Sequence, residues 1–240
     1  MPRFFIDGLL ALDVPCEIGG QDAHKLVHVL RARIGDEVEL LDSSGARFQA
    51  RLEKLGKSVV ALPRERIGAH TATILPFTLA QALPKGSKMD FIVEKASELG
   101  VARIIPFVSD RCIARECTPA KLERWRRLAR ASAAQCGRER ILEISEPRSL
   151  RDLLAELGDF GVTLMPWELA EPHSPLPLLR DLLGQATSSL GIIGPEGGFS
   201  EEEAARAAGF GAHLIWLGPR ILRTETAGFV LATAVLLASI

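Results

Sequence analysis

The sequence predicts an α/β protein in two parts, a small β-barrel over residues 1–70 and a parallel-sheet domain over residues 73–240. Short apolar runs separated by tight turns fill the first part, the pattern of a small barrel. From residue 73 onward strand and helix patterns alternate, which implies a mostly parallel sheet with helices on both faces. The polar run PRERIGAHT at 63–71 reads as the linker between them.

In the first part, residues 22–31 read as one short helix, followed by strands at 37–41, 46–55 and 58–62. Asp42-Ser43-Ser44-Gly45 and Gly56-Lys57-Ser58 are the turns between those strands. In the second part, 73–79 is a strand, and Ser87 opens a helix to Leu99 with Asp90 as an imperfect capping box and Gly100 as its stop. A strand at 103–108 precedes a helix entered at Thr118-Pro119 and running to about residue 134, by the N-cap and N1 preferences. A helix at 149–157, then strands at 161–165 and 189–193, lead to a helix at 200–208. That helix carries a full capping box, Ser200 with Glu203, and acidic residues suited to its dipole. A strand at 212–217 and a helix at 224–239 close the chain. After Glu225 that last helix has no charge, so it needs cover on all sides, and a second copy of the chain is the expected cover.

Of the 240 residues, 47% are hydrophobic and 25% charged, which excludes disordered, collagen-like and disulfide-scaffold classes. The uncharged stretch at 227–240 is shorter than the ~20 residues of a membrane span. No secretion signal is expected at the start, where Asp7 and Asp13 interrupt the apolar run. Cys16, Cys112, Cys117 and Cys136 show no zinc-ligand spacing and read as reduced thiols of a cytosolic protein. Net charge is −1, yet residues 111–140 hold nine Lys/Arg against three Glu. A basic stretch on an acidic background fits a phosphate-binding face, although a solvated helix face looks the same. His24 and His28 stand at i, i+4, but without a third ligand they read as surface histidines and no metal is expected.

Two segments stand where strands end and helices begin, the usual place for ligands in open α/β sheets. One is GPEGGFS at 194–200, whose glycines would let a ligand approach the backbone. The other is LGPRILRTETA at 217–227. They read either as adjacent strand ends forming one pocket or as tight structural turns. Neither a dinucleotide fingerprint nor a P-loop is present.

These two segments resemble the C-terminal signatures of the ribosomal RNA small subunit methyltransferase E family, part of the SPOUT superfamily of trefoil-knotted methyltransferases. QALPKG (81–86), EKASELGV (94–101), PFVSDR (106–111), QCGR (135–138) and His24 with VLR (29–31) resemble further blocks of that family, so the match spans nearly the whole chain. Ala134 and Leu142 depart from it, standing where the family usually has Glu and Pro. The resemblance implies a PUA-like β-barrel followed by a SPOUT α/β domain with a C-terminal trefoil knot. It further implies a homodimer that transfers a methyl group from S-adenosylmethionine to N3 of a uridine in 16S ribosomal RNA. The protein is expected in the cytoplasm, and its substrate is expected to be that RNA in the assembled small subunit, with naked RNA left open.

Uracil N3 carries a proton at neutral pH, so transfer needs a base or groups that stabilise the anion. No tyrosine exists to serve. His24, His28 and His70 fall in the barrel or linker, leaving His173 and His213. Glu225 and Glu196 are the acids nearest the glycine loops, and Arg223 could hold a phosphate or the uracilate. Arg223, Glu225 and Glu196 are therefore the expected catalytic residues, each with a structural rival reading as a dipole, ion-pair or loop residue. The cofactor is expected against Ile193, Gly194, Pro195, Gly197, Gly198, Leu217, Gly218, Ile221 and Leu222. Thr226 and Ala227 should close that pocket, and the strand end at Leu164-Met165-Pro166 should form its third wall. RNA phosphates are expected at Lys25, Arg31, Lys85, Arg111, Arg115, Arg126, Arg130 and Arg138. Two rivals stay open: a non-catalytic RNA-binding protein, and a knotted methyltransferase with another target.

Overall fold

The computed structural model describes residues 1–68, 75–172 and 175–239. The chain divides into two compact units, Met1–Ala72 with Ala133–Arg140, and Thr73–Ser132 with Ile141–Ile240. The 133–140 segment, expected with the second part, therefore clusters with the first. Arg3 Nη1 donates to the Arg138 carbonyl at 3.2 Å, and Arg47 Nη1 lies 3.3 Å from Glu139 Oε1.

The first unit is a five-stranded sheet in the order β1-β3-β4-β5-β2: β1 (Arg3–Phe5), β2 (Cys16–Ile18), β3 (Glu37–Leu41), β4 (Arg47–Lys54) and β5 (Val59–Ile67). β1 and β2 were not foreseen in the sequence, being three residues each. They do not pair with each other among the described residues, so the ladder is an open curved sheet where a barrel was expected. Two register shifts between β4 and β5 bend it. One of them lies beside Pro63, which is how a proline sits inside β5. β5 thus takes up residues 63–67, the first half of the expected linker; the rest of that linker and the expected strand start at 73 lie outside the described residues. The expected helix at 22–31 is instead α1 (Gly20–His24) running into a π-helical turn, Lys25–Val29, with Leu30 N–H bonded to the Lys25 carbonyl. Arg31 then adopts φ +52° and ends it. Phe4, Leu26, Leu40, Leu52 and Val59 are buried in one core.

The second unit is a seven-stranded parallel sheet: β6 (Phe77–Ala82), β7 (Arg103–Val108), β8 (Glu143–Ile144), β9 (Arg148–Ser149), β10 (Val162–Pro166), β11 (Ser189–Ile193) and β12 (His213–Ile215). Its order is β12-β10-β11-β6-β7-β8, with β9 also on β7. Side chains alternate along β6: Phe77 and Leu79 face one core, Ala80 and Ala82 the other. The first core takes α2 (Lys88–Glu98), α3 (Pro119–Cys136), α5 (Pro175–Leu183) and α7 (Thr224–Ala238); the second takes α4 (Leu150–Ala155) and α6 (Glu201–Gly209). α5 is an element the sequence pattern did not show.

The capping residues behave unequally. Ser200 and Glu203 form the expected reciprocal box, and the fully buried Glu203 also accepts from Asp110 N–H at 3.0 Å. Ser87 makes no side-chain cap, because Asp90 turns to Arg124 and Trp125, at 2.6 and 3.1 Å. α7 is not covered on all sides by its own chain. Gly228, Leu231, Ala232 and Val235 are buried, while Val230 is 39% and Leu237 60% exposed. The four cysteines are free thiols, and no described helix is long and apolar enough to cross a membrane.

Candidate functional site

A cleft of about 560 Å³ opens at the carboxyl ends of β11, β10 and β12. Its walls are the 193–199 and 216–224 loops, joined by Pro166-Trp167-Glu168, Lys88 and Ala227. The two glycine–proline loops do meet in one pocket, but not from adjacent strands: β10 lies between β11 and β12. Of the expected residues, Ile193, Gly194, Pro195, Glu196, Gly197, Gly198, Leu217, Gly218, Ile221, Leu222, Arg223 and Ala227 line the cleft. Leu164 and Met165 do not: both are fully buried, one in each core, because the wall begins only where β10 ends at Pro166. Thr226 is exposed and outside the lining, and the expected catalytic Glu225 is outside it too, reaching the site only through Lys88. His70 and His173 lie outside the described residues. His213 opens β12, at the opposite end of that strand from the cleft.

The glycines of the first loop make room for the protein's own side chains more than for a ligand. A Cβ on Gly194 would stand 3.0 Å from the Phe199 ring, one on Gly197 3.2 Å from Arg111 Cβ, and one on Gly198 3.1 Å from Glu168 Oε1. Gly198 also needs its φ of +64°. Gly218, at φ +116°, has open space beside it.

Lys88 organises the charges. Its Nζ lies 3.0 Å from Glu196 Oε1 and 3.3 Å from Glu225 Oε2. Glu196 Oε1 also accepts from the Lys85 backbone N–H at 3.1 Å. A lysine at the first position of α2 opposes the helix dipole, so two carboxylates are what hold it there. Burial pushes the Glu196 carboxyl up, but the Lys88 ammonium and backbone amides pull it below the usual carboxylate range. The Lys88 ammonium is raised, first by its hydrogen bond to Glu196. Glu225 is the more enclosed carboxylate, with 14% of its side chain exposed. Its Oε2 is buried and lies against the Lys88 ammonium, with no other partner among the described residues. Lys88 was missed in the sequence, since nothing in the pattern shows that β6, which leads into α2, borders β11.

The basic stretch does not form one free face. Arg111 donates to the Gly197 and Phe199 carbonyls, Arg115 to the Asp110 carbonyl, and Arg126 to Glu146. Arg130 is half-buried, and Arg138 falls in the other unit. Lys85 is exposed at the mouth of α2, and Lys25 and Arg31 are exposed beside the π turn. The rings of His24 and His28 are 4.5 Å apart there, and no group of three metal-binding side chains occurs among the described residues.

The profile of the RNA methyltransferase domain matches residues 71–236, and that of the RNA methyltransferase PUA domain matches 18–61. The Ribosomal RNA small subunit methyltransferase E of Mesomycoplasma hyopneumoniae is 36% identical over 172 residues, covering 70% of this chain and 73% of its own. The chain belongs to the ribosomal RNA small subunit methyltransferase E family. The Bacillus subtilis protein of that name is 29% identical over 91% of this chain and 88% of its own. The Neisseria gonorrhoeae one, solved bound to S-adenosyl methionine, is 29% identical, with a TM-score of 0.82 over 98% of this chain and 96% of its own. In family terms the first unit carries the PUA domain and the parallel sheet is the methyltransferase domain.

Proposed function

We propose that this protein transfers a methyl group from S-adenosylmethionine to N3 of a uridine in 16S ribosomal RNA. The observation that carries the reading is the cleft, lined by apolar walls, Lys88, Glu196 and Arg223, with Glu225 paired to Lys88 just outside that lining, in a member of this family. The residues present fit the cofactor. Ile193 and Leu217 offer apolar surface to a purine, and the buried indole N–H of Trp167 lacks a partner among the described residues. When bound, the cofactor supplies a methyl group on a sulfonium carbon.

Glu225, whose carboxylate shares Lys88 with Glu196, accepts the N3 proton. The N3 electron pair freed in this way would take the methyl group that the bound cofactor supplies, the carbon–sulfur pair staying with the cofactor. Arg223 lines the cleft with no ion-pair partner among the described residues and stabilises the uracil anion or an adjoining phosphate. Glu196, held ionised by Lys88, fixes the lysine so that its charge also sits beside Glu225.

Residues 1–70 dock RNA through Lys25 and Arg31, and residues 73–240 carry the chemistry with Lys85 and the arginines from 111 to 130 near the incoming strand. The substrate is the RNA within the small subunit, in the cytoplasm. The sheet order supports a trefoil knot, since the chain passes from β11 across β10 to β12 and then returns in α7 to the middle of the sheet. The uncovered α7 face, with Phe229 in edge contact with the half-exposed Phe91, supports a homodimer through that helix. The test of the site is Glu225→Gln: turnover falls at least about 100-fold while S-adenosylhomocysteine still binds, and undiminished turnover contradicts the assignment.

A further inference from the structure

We infer that Glu168 binds the ribose hydroxyls of the cofactor, an assignment that rests on the S-adenosylmethionine reading above. Five charged side chains line the cleft: Lys88, Glu168, Glu196, Arg220 and Arg223. Glu196 is committed to Lys88. Glu168 is thus the one lining carboxylate without a cation or hydrogen-bond donor among the described residues. Its position is set from behind: Oε1 lies 3.1 Å from where a Cβ on Gly198 would stand, so the glycine leaves the room that the carboxylate fills.

Placement in the sheet selects the group it faces. Lys88 opens the helix after β6, and Glu225 lies in the first turn of the helix after β12. The lysine pairs with that carboxylate and with Glu196, which follows β11, the neighbour of β6. Glu168 follows β10, on the other side of β11. With methyl transfer at the Glu225 end, the nucleoside half of the cofactor falls at the Glu168 end. A ribose diol presents two neighbouring O–H donors that suit the two oxygens of one carboxylate. A purine edge pairs its single amino donor with ring-nitrogen acceptors, which repel an anion.

Calorimetry on the full chain tests this with S-adenosylhomocysteine, 5′-methylthioadenosine (ribose, no amino acid) and 5′-methylthio-2′,3′-dideoxyadenosine (neither diol nor amino acid). Glu168→Gln and Glu168→Ala, each checked for an unchanged melting temperature without ligand, are expected to weaken the first two at least about tenfold. The dideoxy ligand should bind all forms alike. Weakening of S-adenosylhomocysteine alone would reassign Glu168 to the ammonium group, and unchanged affinity for the first two would remove it from the site; either overturns the inference. Failure of the unaltered protein to bind S-adenosylhomocysteine would instead defeat the cofactor reading.

Discussion

The Thr224 hydroxyl donates a 2.6 Å hydrogen bond to the Gly194 carbonyl, tying the first turn of α7 to the loop after β11. The same oxygen accepts from Gln81 Nε2 at 2.8 Å, so three separate chain segments hold one edge of the cleft. Thr224→Val keeps the shape, removes the hydroxyl and takes a partner from one buried Gln81 N–H and from the Gly194 carbonyl. We expect a loss of about 1–3 kcal/mol in urea unfolding and weaker S-adenosylhomocysteine binding, with Thr224→Ser restoring both. A valine variant as stable and as tight as the parent would show that the bridge holds nothing.

Lys88→Met leaves Glu196 and Glu225 facing each other without a cation. Turnover should fall, and the acid limb of the pH–rate profile should move to higher pH as Glu196 loses the partner that holds it ionised. Stability follows the same linkage. Glu196, lowered in the fold, contributes above the ordinary carboxylate range, about 4.3, and its contribution is lost as pH falls through the lower folded value. Lys88, raised in the fold, contributes fully below about 10.4 and loses this as pH rises through its folded value. The parent should therefore exceed the variant in melting temperature from about pH 5 to 10, and the gap should close toward pH 2. A gap that does not depend on pH would contradict the ion pair.

Glu39 is 7% exposed and receives Arg3 at 2.9 and 3.0 Å and Arg47 at 2.6 Å. Burial raises its carboxyl, but the two guanidiniums lower it further than burial lifts it. Glu39→Gln leaves Arg3 without a counter-charge and Arg47 with Glu139 alone, and should cost about 3 kcal/mol at neutral pH. The loss should shrink in acid, where the parent carboxyl is itself protonated. Urea unfolding at pH 7 and pH 3 measures both.

Gly191 in β11 sits where a Cβ would come within 2.5 Å of Leu231 Cδ2 and 2.7 Å of the Phe77 ring. Gly191→Ala therefore pries α7 from the sheet at a cost of about 1–3 kcal/mol. A melting temperature equal to the parent's would contradict that packing.

Strand–helix alternation was legible because buried parallel strands and capped helices leave strong local marks: 189–193 and the Ser200 box lie where the pattern put them. Elements made by long-range pairing left none. β1 and β2, three residues each, exist only because β3 and β5 hold them, and the π turn at Lys25–Val29 looks like plain helix in any periodicity. The glycine loops were legible as a site, but the glycines' neighbours were not, since Phe199, Arg111 and Glu168 reach them through tertiary structure. Lys88 and Trp167 escaped notice for the same reason: strand order, which brings them to the cleft, is not written in local sequence.

The most direct test is nucleoside mass spectrometry of small-subunit RNA from cells lacking this gene, before and after incubation of their isolated subunits with the purified protein and S-adenosylmethionine. The account predicts that 3-methyluridine is absent beforehand and restored by the parent protein but not by Glu225→Gln. Restoration of a different methylated nucleoside, or of none, would contradict it.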